Sequence, residues 1–285
     1  MKRRIRVVLG VATAICCLIV AGTALAIGNG VPDGNGHPNV GLLAVGFEEN
    51  GVLKRFIDCS GSYAGPRKGG SGSVFLTAGH CVEFMPAAGI AGSQLWVTFD
   101  TNATFDPDTG EVLGATTWHH ATAFAFDPDW GHDTGNLKDY AVVLLENTIP
   151  GLTPVQLPTA GLLDAMAAKG GMKPGVPFDN VGYGFVPNGP GGHPAFAPPP
   201  GRMFSTSLFK GLTKAWLKLQ MNENAADGNG GSCFGDSGSP KFVHGTNTVV
   251  AVTTGGDGVC RAESINQRLD VADARAFLGQ YLNLP

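Results

Sequence analysis

Three common signals are missing from this chain of 285 residues, and each absence removes a class of function. Its six cysteines show no Cys-x-x-Cys and no paired Cys/His spacing of the zinc type, so a structural zinc site is not expected. No block of Lys and Arg stands out, which argues against nucleic acid as a partner. Nothing recurs at a fixed period, so repeat architectures are excluded. Asp106-Pro-Asp108-Thr-Gly-Glu111 lacks the ligand spacing of an EF-hand, and His119 and His120, adjacent in a strand, would point to opposite faces. We therefore expect no metal and no cofactor, and solvated loops for the polar runs of 100–138, including Asp127-Pro-Asp129-Trp130-Gly-His132-Asp133.

What is abundant is punctuation: 43 Gly and 19 Pro. With 43% apolar residues, this describes a folded, turn-rich, mainly β protein. Short apolar segments at 41–47, 52–57, 74–76, 94–99, 116–126 and 140–145 alternate with Gly, Pro and Asn clusters. Others follow at 181–185, 203–208, 215–221, 240–243, 248–254 and 264–268, after a three-proline connector at 149–158. Their lengths and turn spacing favour antiparallel barrel strands over helices. Residues 271–282 carry the one amphipathic helix pattern, expected to close the chain against its second half. The stretch 66–72 reads as a surface loop away from any chemistry, and the Gly- and Pro-rich 187–201 as an exposed loop.

Residues 1–26 are organised as a secretory signal: Lys2, Arg3, Arg4 and Arg6, an apolar stretch from Val7, then Ala24-Leu25-Ala26 as a small-x-small cleavage site. An uncleaved anchor competes with that reading, because no charge interrupts 7–28. Cleavage is favoured, and it predicts a secreted, extracellular protein without stable membrane association. Removing the leader's four basic residues from the 19 Lys and Arg leaves 15 against 23 Asp and Glu, a net charge of −8 that disfavours anionic partners. Cys16 and Cys17 leave with it. Cys59, Cys81, Cys233 and Cys260 remain, enough for two disulfides in any of three pairings.

One stretch carries chemistry on its face: Gly230-Gly231-Ser232-Cys233-Phe234-Gly235-Asp236-Ser237-Gly238-Ser239-Pro240. A serine between glycines on a tight turn is exposed to a substrate, and such a turn lets backbone N–H groups converge on one point. A nucleophilic serine needs a base, and the base needs an acceptor that fixes its tautomer. His80 is presented by Val74-Phe75-Leu76-Thr77-Ala78-Gly79-His80-Cys81, and Asp139 leads straight into the buried strand Tyr140-Ala141-Val142-Val143-Leu144-Leu145. Asp133 is the rival acid, but only Asp139 directly precedes a strand that could hold it rigidly. The order His80, Asp139, Ser237 differs from the subtilisin and α/β-hydrolase orders, and Ser239 breaks the hydrolase Gly-x-Ser-x-Gly pattern.

Through Thr77-Ala-Gly-His-Cys81, Asp139-Tyr-Ala-Val-Val-Leu and Gly235-Asp-Ser-Gly, the chain resembles the chymotrypsin/trypsin-like serine proteases, and Val181-Gly-Tyr-Gly184 resembles their Gly-Trp-Gly turn. The resemblance implies an all-β fold of two packed six-stranded antiparallel β-barrels with a C-terminal helix. The first would span 27–150 with His80 and Asp139, and the second 151–285 with Ser237. It pairs Cys59 with Cys81 and Cys233 with Cys260, and makes the N–H groups of Gly235 and Ser237 an oxyanion hole. It puts Gly231 and Ser232 at the base of the primary pocket, with Thr254, Gly255, Gly256 and Ser264 in its walls. That pocket would be uncharged unless Asp257 or Glu263 reaches inward. A freed amine at Ile27 would pair with Asp236 to order the oxyanion turn. The implied activity is a monomeric serine endopeptidase acting on protein or peptide substrates, against two alternatives: a catalytically inactive binding protein and an esterase on the same fold.

Overall fold

The computed structural model describes residues 27–188, 195–222 and 229–285. The expected leader at 1–26 lies outside the described residues, as do 189–194 of the Gly- and Pro-rich loop.

The first half supplies β1 (Val40–Glu49), β2 (Val52–Pro66), β3 (Ser73–Thr77), β4 (Leu95–Thr98), β5 (His119–Phe126) and β6 (Ala141–Leu145). They close an antiparallel barrel in the order β1-β2-β3-β6-β5-β4. Asn50-Gly51 turns β1 into β2, and both residues have positive φ (52° and 77°), which a two-residue loop between right-twisted strands requires. β3 and β6 are buried at every position, which is why 74–76 and 141–145 read as unbroken apolar runs. Leu43 faces Cys59 while Ala44 faces Ile57, so Asp58 is the extra residue of a β-bulge in β2.

The second half supplies β7 (Pro177–Gly182), β8 (Met203–Leu212), β9 (Trp216–Gln220), β10 (Pro240–Val243), β11 (Val249–Gly256) and β12 (Glu263–Arg268). These close in the order β7-β8-β9-β12-β11-β10, the connectivity of the first barrel repeated strand for strand. The expected two-barrel architecture is thus the observed one.

Each barrel has its own apolar core, one around Leu43, Phe75, Val97 and Val143 and the other around Phe178, Leu217, Leu219 and Val250. A third cluster joins them: Val74, Leu76 and Val142 of the first barrel meet Val181, Phe242, Val249 and Val252 of the second. Phe277, Leu278 and Leu282 from the end of the chain complete it.

Several expectations change. Residues near the described amino end belong with the second barrel: Gly28 bridges Gly231, Val31 and Pro32 pair with Phe204 and Met203, and buried Arg202 donates to Asp33 at 2.9 Å. The C-terminal helix covers Ala272–Leu278 only, and it packs on both barrels, with Phe277 5.3 Å from the Tyr140 ring. A second helix at Leu162–Ala168 escaped notice because seven residues are too few for a clear period. Residues 67–72 are a turn docked on that C-terminal helix's exit, where Lys68 Nζ donates to the Gly279 carbonyl at 2.7 Å. Val186–Asn188 and Ala195–Ala197 form a short two-stranded ribbon within the stretch expected to be a loop. Among the described residues no helix is long and apolar enough to cross a membrane.

Candidate active site

β3 ends at Thr77, and extended backbone at Ala78 turns the chain into a single 3-10 turn, Gly79–Cys81, which carries His80. Asp139 stands just before β6, and because β6 pairs with β3, with Thr77 opposite Ala141, the two side chains meet. The His80 N–H donates to Asp139 Oδ1 at 2.8 Å, and His80 Nδ1 lies 2.9 Å from Oδ2 and 3.1 Å from Oδ1. Asp139 is fully buried. Burial alone would push its carboxyl up, but the hydrogen bonds and charge of His80 outweigh it and hold the carboxyl below its usual range. Burial likewise opposes a charged His80, yet the Asp139 hydrogen bond and the charges of Asp139, Asp58 and Glu83 prevail, so the imidazole pKa is raised above 6.5.

Trp130 is a partner that the sequence reading missed. Its indole N–H donates to Asp139 Oδ1 at 3.1 Å, and its ring covers Gly79, where a Cβ would come within 2.5 Å of Trp130 Cδ1. The run 127–133 is therefore not all solvated loop: Asp127 is buried and accepts the Tyr140 hydroxyl at 3.1 Å. The available signal was a large aromatic amid polar turn residues, which must bury its ring somewhere. Asp133 is exposed and accepts the Gly135 N–H, away from His80. His119 and His120 point apart as expected, the first against Phe99 and the second against Trp96.

Ser237 sits half-buried on a turn whose flanking glycines both take positive φ, 89° at Gly235 and 76° at Gly238. Close approach also demands glycine at 238, where a Cβ would lie 2.1 Å from Thr77 Oγ1 and 2.6 Å from the Ala78 nitrogen. The turn is thus pressed against the segment that presents His80. β2 holds it too: the Ser60 N–H donates to the Ser237 carbonyl and the Ser60 hydroxyl to the Gly235 carbonyl, both at 2.9 Å. Disulfides Cys59–Cys81 and Cys233–Cys260, the expected pairing, tie β2 to the His80 turn and the start of the Ser237 loop to the segment after β11. Among the described residues, the N–H groups of Gly235 and Ser237 donate to nothing, while those of Asp236, Gly238 and Ser239 are taken. No hydrogen bond joins Ser237 Oγ to the His80 ring in the described chain.

Asp236 is fully buried and accepts the N–H groups of Gly184 and Cys233, each at 2.9 Å. Gly184 must be glycine, since a Cβ there would lie 2.5 Å from the Asp236 carboxylate. The cation whose charge reaches this carboxylate is Lys241, itself fully buried on β10. Burial pushes the Asp236 carboxyl up and the Lys241 ammonium down, each shift opposed by the partner's charge. Ile27 is buried against Val186 and Met203. Lys241, which the sequence reading did not single out, therefore lends its charge to the carboxylate expected to receive a freed Ile27 amine.

Beside Ser237 opens a cavity of about 220 Å³, lined by Ser232, Phe234, Thr253, Thr254 and Gly255 to Gly258 among others. The Ser232 hydroxyl accepts a hydrogen bond from Lys241 Nζ and lies 3.3 Å from Thr253 Oγ1. Two expected pocket residues stand outside the lining: Gly231, where a Cβ would strike Met221, and Ser264, buried with its hydroxyl donating to Asn266. Asp257 does line the cavity, but its carboxylate accepts the N–H groups of Arg261, Ala262 and Glu263 at 3.1, 2.8 and 2.9 Å. Glu263 turns instead to Lys210 and Lys218. The cavity thus presents hydroxyls, glycine backbone, Phe234 and the backbone-bound Asp257 carboxylate, with Lys241 and Asp236 buried behind them.

Cys59, His80 and Cys81 offer ligand atoms within 4.8 Å of one another, but both sulfurs share a disulfide and neither is a thiolate. No family model matches the chain, and no curated protein matches it.

Proposed function

We propose that the chain is a secreted serine endopeptidase of the chymotrypsin-like class. One observation carries the reading: a buried Asp139 grips Nδ1 of His80, and the adjoining Ser237 turn keeps two backbone N–H groups unspent among the described residues. In this reading Ser237 Oγ attacks the scissile carbonyl carbon while His80 Nε2 takes its proton, and Asp139 stays ionised as the imidazolium forms. A hydrogen bond of this kind often tightens only with substrate in place. The Gly235 and Ser237 N–H groups receive the oxyanion, each worth about 2.7–4 kcal/mol in the transition state. Collapse breaks the C–N bond, His80 passes its proton to the departing amine, and water then attacks the acyl-enzyme with His80 again as base. The cavity's hydroxyls and glycines, with the Asp257 carboxylate taken up by three backbone N–H groups, support an uncharged side chain on the acyl side. Two disulfides support an oxidising, extracellular destination.

The test is covalent labelling with a fluorophosphonate, located by peptide mass spectrometry. Modification of Ser237 in the wild type and none in Ser237→Ala is the expected outcome. A folded protein that takes no label would be a protease-shaped binding protein, and turnover of esters without peptides would make it an esterase.

A further inference from the structure

Asp58 is a carboxylate that the triad chemistry leaves unused. It is the bulged residue of β2, and bulges beside active sites re-aim a side chain that regular pairing would commit to one face. Its Oδ2 is buried and has no hydrogen-bond partner, although the residue as a whole stays partly open to solvent. Cations of the same strand are spoken for: Arg55 stacks over Trp96 and Trp118 at 4.2 and 4.7 Å, and Lys54 pairs with Glu49 and Glu111. Burial pushes the carboxyl up to about 7, against the opposing charge of His80. A buried carboxylate oxygen without a partner is costly, and one that also feels the charge of a candidate catalytic histidine would gain from a cation brought by a ligand.

Position identifies which part of a substrate would meet it. The cavity for the acyl-side residue is walled by 253–258 of the second barrel. Residues 57–60 of the first barrel run along the other flank of the nucleophile turn: Ser60 holds the Ser237 and Gly235 carbonyls, and Ile57 Cδ1 lies 3.6 Å from where a Gly235 Cβ would stand. Asp58 lies between these two residues and next to Cys59, whose disulfide partner Cys81 follows His80. His80 protonates the departing amine, so the leaving half of the substrate exits on this side.

We propose that Asp58 is a specificity residue for the leaving half of the substrate, receiving a Lys or Arg side chain from the first residues beyond the scissile bond. This rests on the endopeptidase reading. It assigns the enzyme a preference for basic residues after the cut, independent of the side chain held in the acyl pocket.

Acyl transfer isolates that side. A simple ester substrate acylates Ser237, and an added amino-acid amide then competes with water: its amine attacks the acyl carbon, the bond to Ser237 Oγ breaks, and the amine's proton returns through His80 to that oxygen. Wild type should prefer argininamide over leucinamide at least about tenfold, the worth of one charge-assisted hydrogen bond, with glutamic acid amide poorest. Asp58→Asn should bring the argininamide-to-leucinamide ratio near one, and Asp58→Lys should invert the order in favour of the glutamic acid amide. Each ratio is read within one preparation, so a reduced folded fraction cancels. Equal transfer by wild type, or an undiminished preference in Asp58→Asn, overturns the assignment while leaving the endopeptidase reading intact. Failure of wild type to form an acyl-enzyme from any ester overturns both.

Discussion

At the scale of single residues, the site separates groups that act from groups that hold them. Ser237 makes no side-chain hydrogen bond among the described residues, so in the proposed reading Ser237→Ala should remove chemistry and little structure. Its kcat should fall at least about a thousandfold with circular dichroism unchanged, and peptide hydrolysis persisting in a folded Ser237→Ala would remove the assignment. Asp139 is different, because it also receives the His80 backbone and the Trp130 indole. The pH dependence follows from the sign of the His80 shift. Its pKa is raised, a general base must be neutral, and so kcat/KM should decline as pH falls through a value above 6.5. Asp139, Asp58 and Glu83 all favour the charged imidazole, so Asp58→Asn should move that acid limb to lower pH. A pH–rate profile reads this directly, and an unmoved limb would mean that Asp58 does not act on His80. Trp130 was hidden from sequence reading for a physical reason: nothing in a Pro- and Asp-rich run specifies which buried acceptor an indole will find nine residues on.

At the scale of elements, the turn bearing Ser237 is held by charge as well as by backbone. Asp236 and Lys241 are both fully buried and each feels the other's charge, although Lys241 Nζ donates to Ser232; removing one member of a buried couple of opposite charge costs up to about 3–5 kcal/mol because the other charge is left alone. Lys241→Met should therefore lower stability by that order and abolish fluorophosphonate labelling, since an unbalanced Asp236 would release the Gly184 and Cys233 N–H groups that shape the turn. Asp236→Asn combined with Lys241→Met should be less destabilised than the two single losses together, because neither charge then remains unpaired. Urea unfolding of the four proteins measures this, and strict additivity would show that the two groups do not communicate. Gly184 and Gly238 were legible as turn formers. Their obligation to be glycine comes from neighbours distant in sequence, the Asp236 carboxylate for one and Thr77 with Ala78 for the other.

At the scale of the whole molecule, residues 28–33 and the carboxyl-terminal helix both tie the barrels together. Residues 28–33 pair on the second barrel although they precede the first, and the C-terminal helix packs on both. Because the charge of Lys241 already reaches Asp236, the Ser237 turn should not require an amine released at Ile27. Intact-mass measurement of secreted protein, with labelling of a form carrying extra residues before Ile27, tests this. Labelling of the extended form is expected, and labelling confined to chains that begin at Ile27 would restore the amine as the ordering cation.

The mainly β class, the strands, the three catalytic candidates in their order and the need for disulfides were all legible in the chain, because each depends on local apolar patterning, turn chemistry or residue type. The ring closures, the repeated connectivity of the two barrels, the bulge at Asp58, the Trp130 hydrogen bond and the Lys241 counter-charge were decided only by the tertiary structure. The ring closures and the bulge are contacts between strands set by register, while Trp130 with Asp139 and Lys241 with Asp236 are close in sequence yet meet only because the fold buries them around one point, which no residue pattern along the chain specifies.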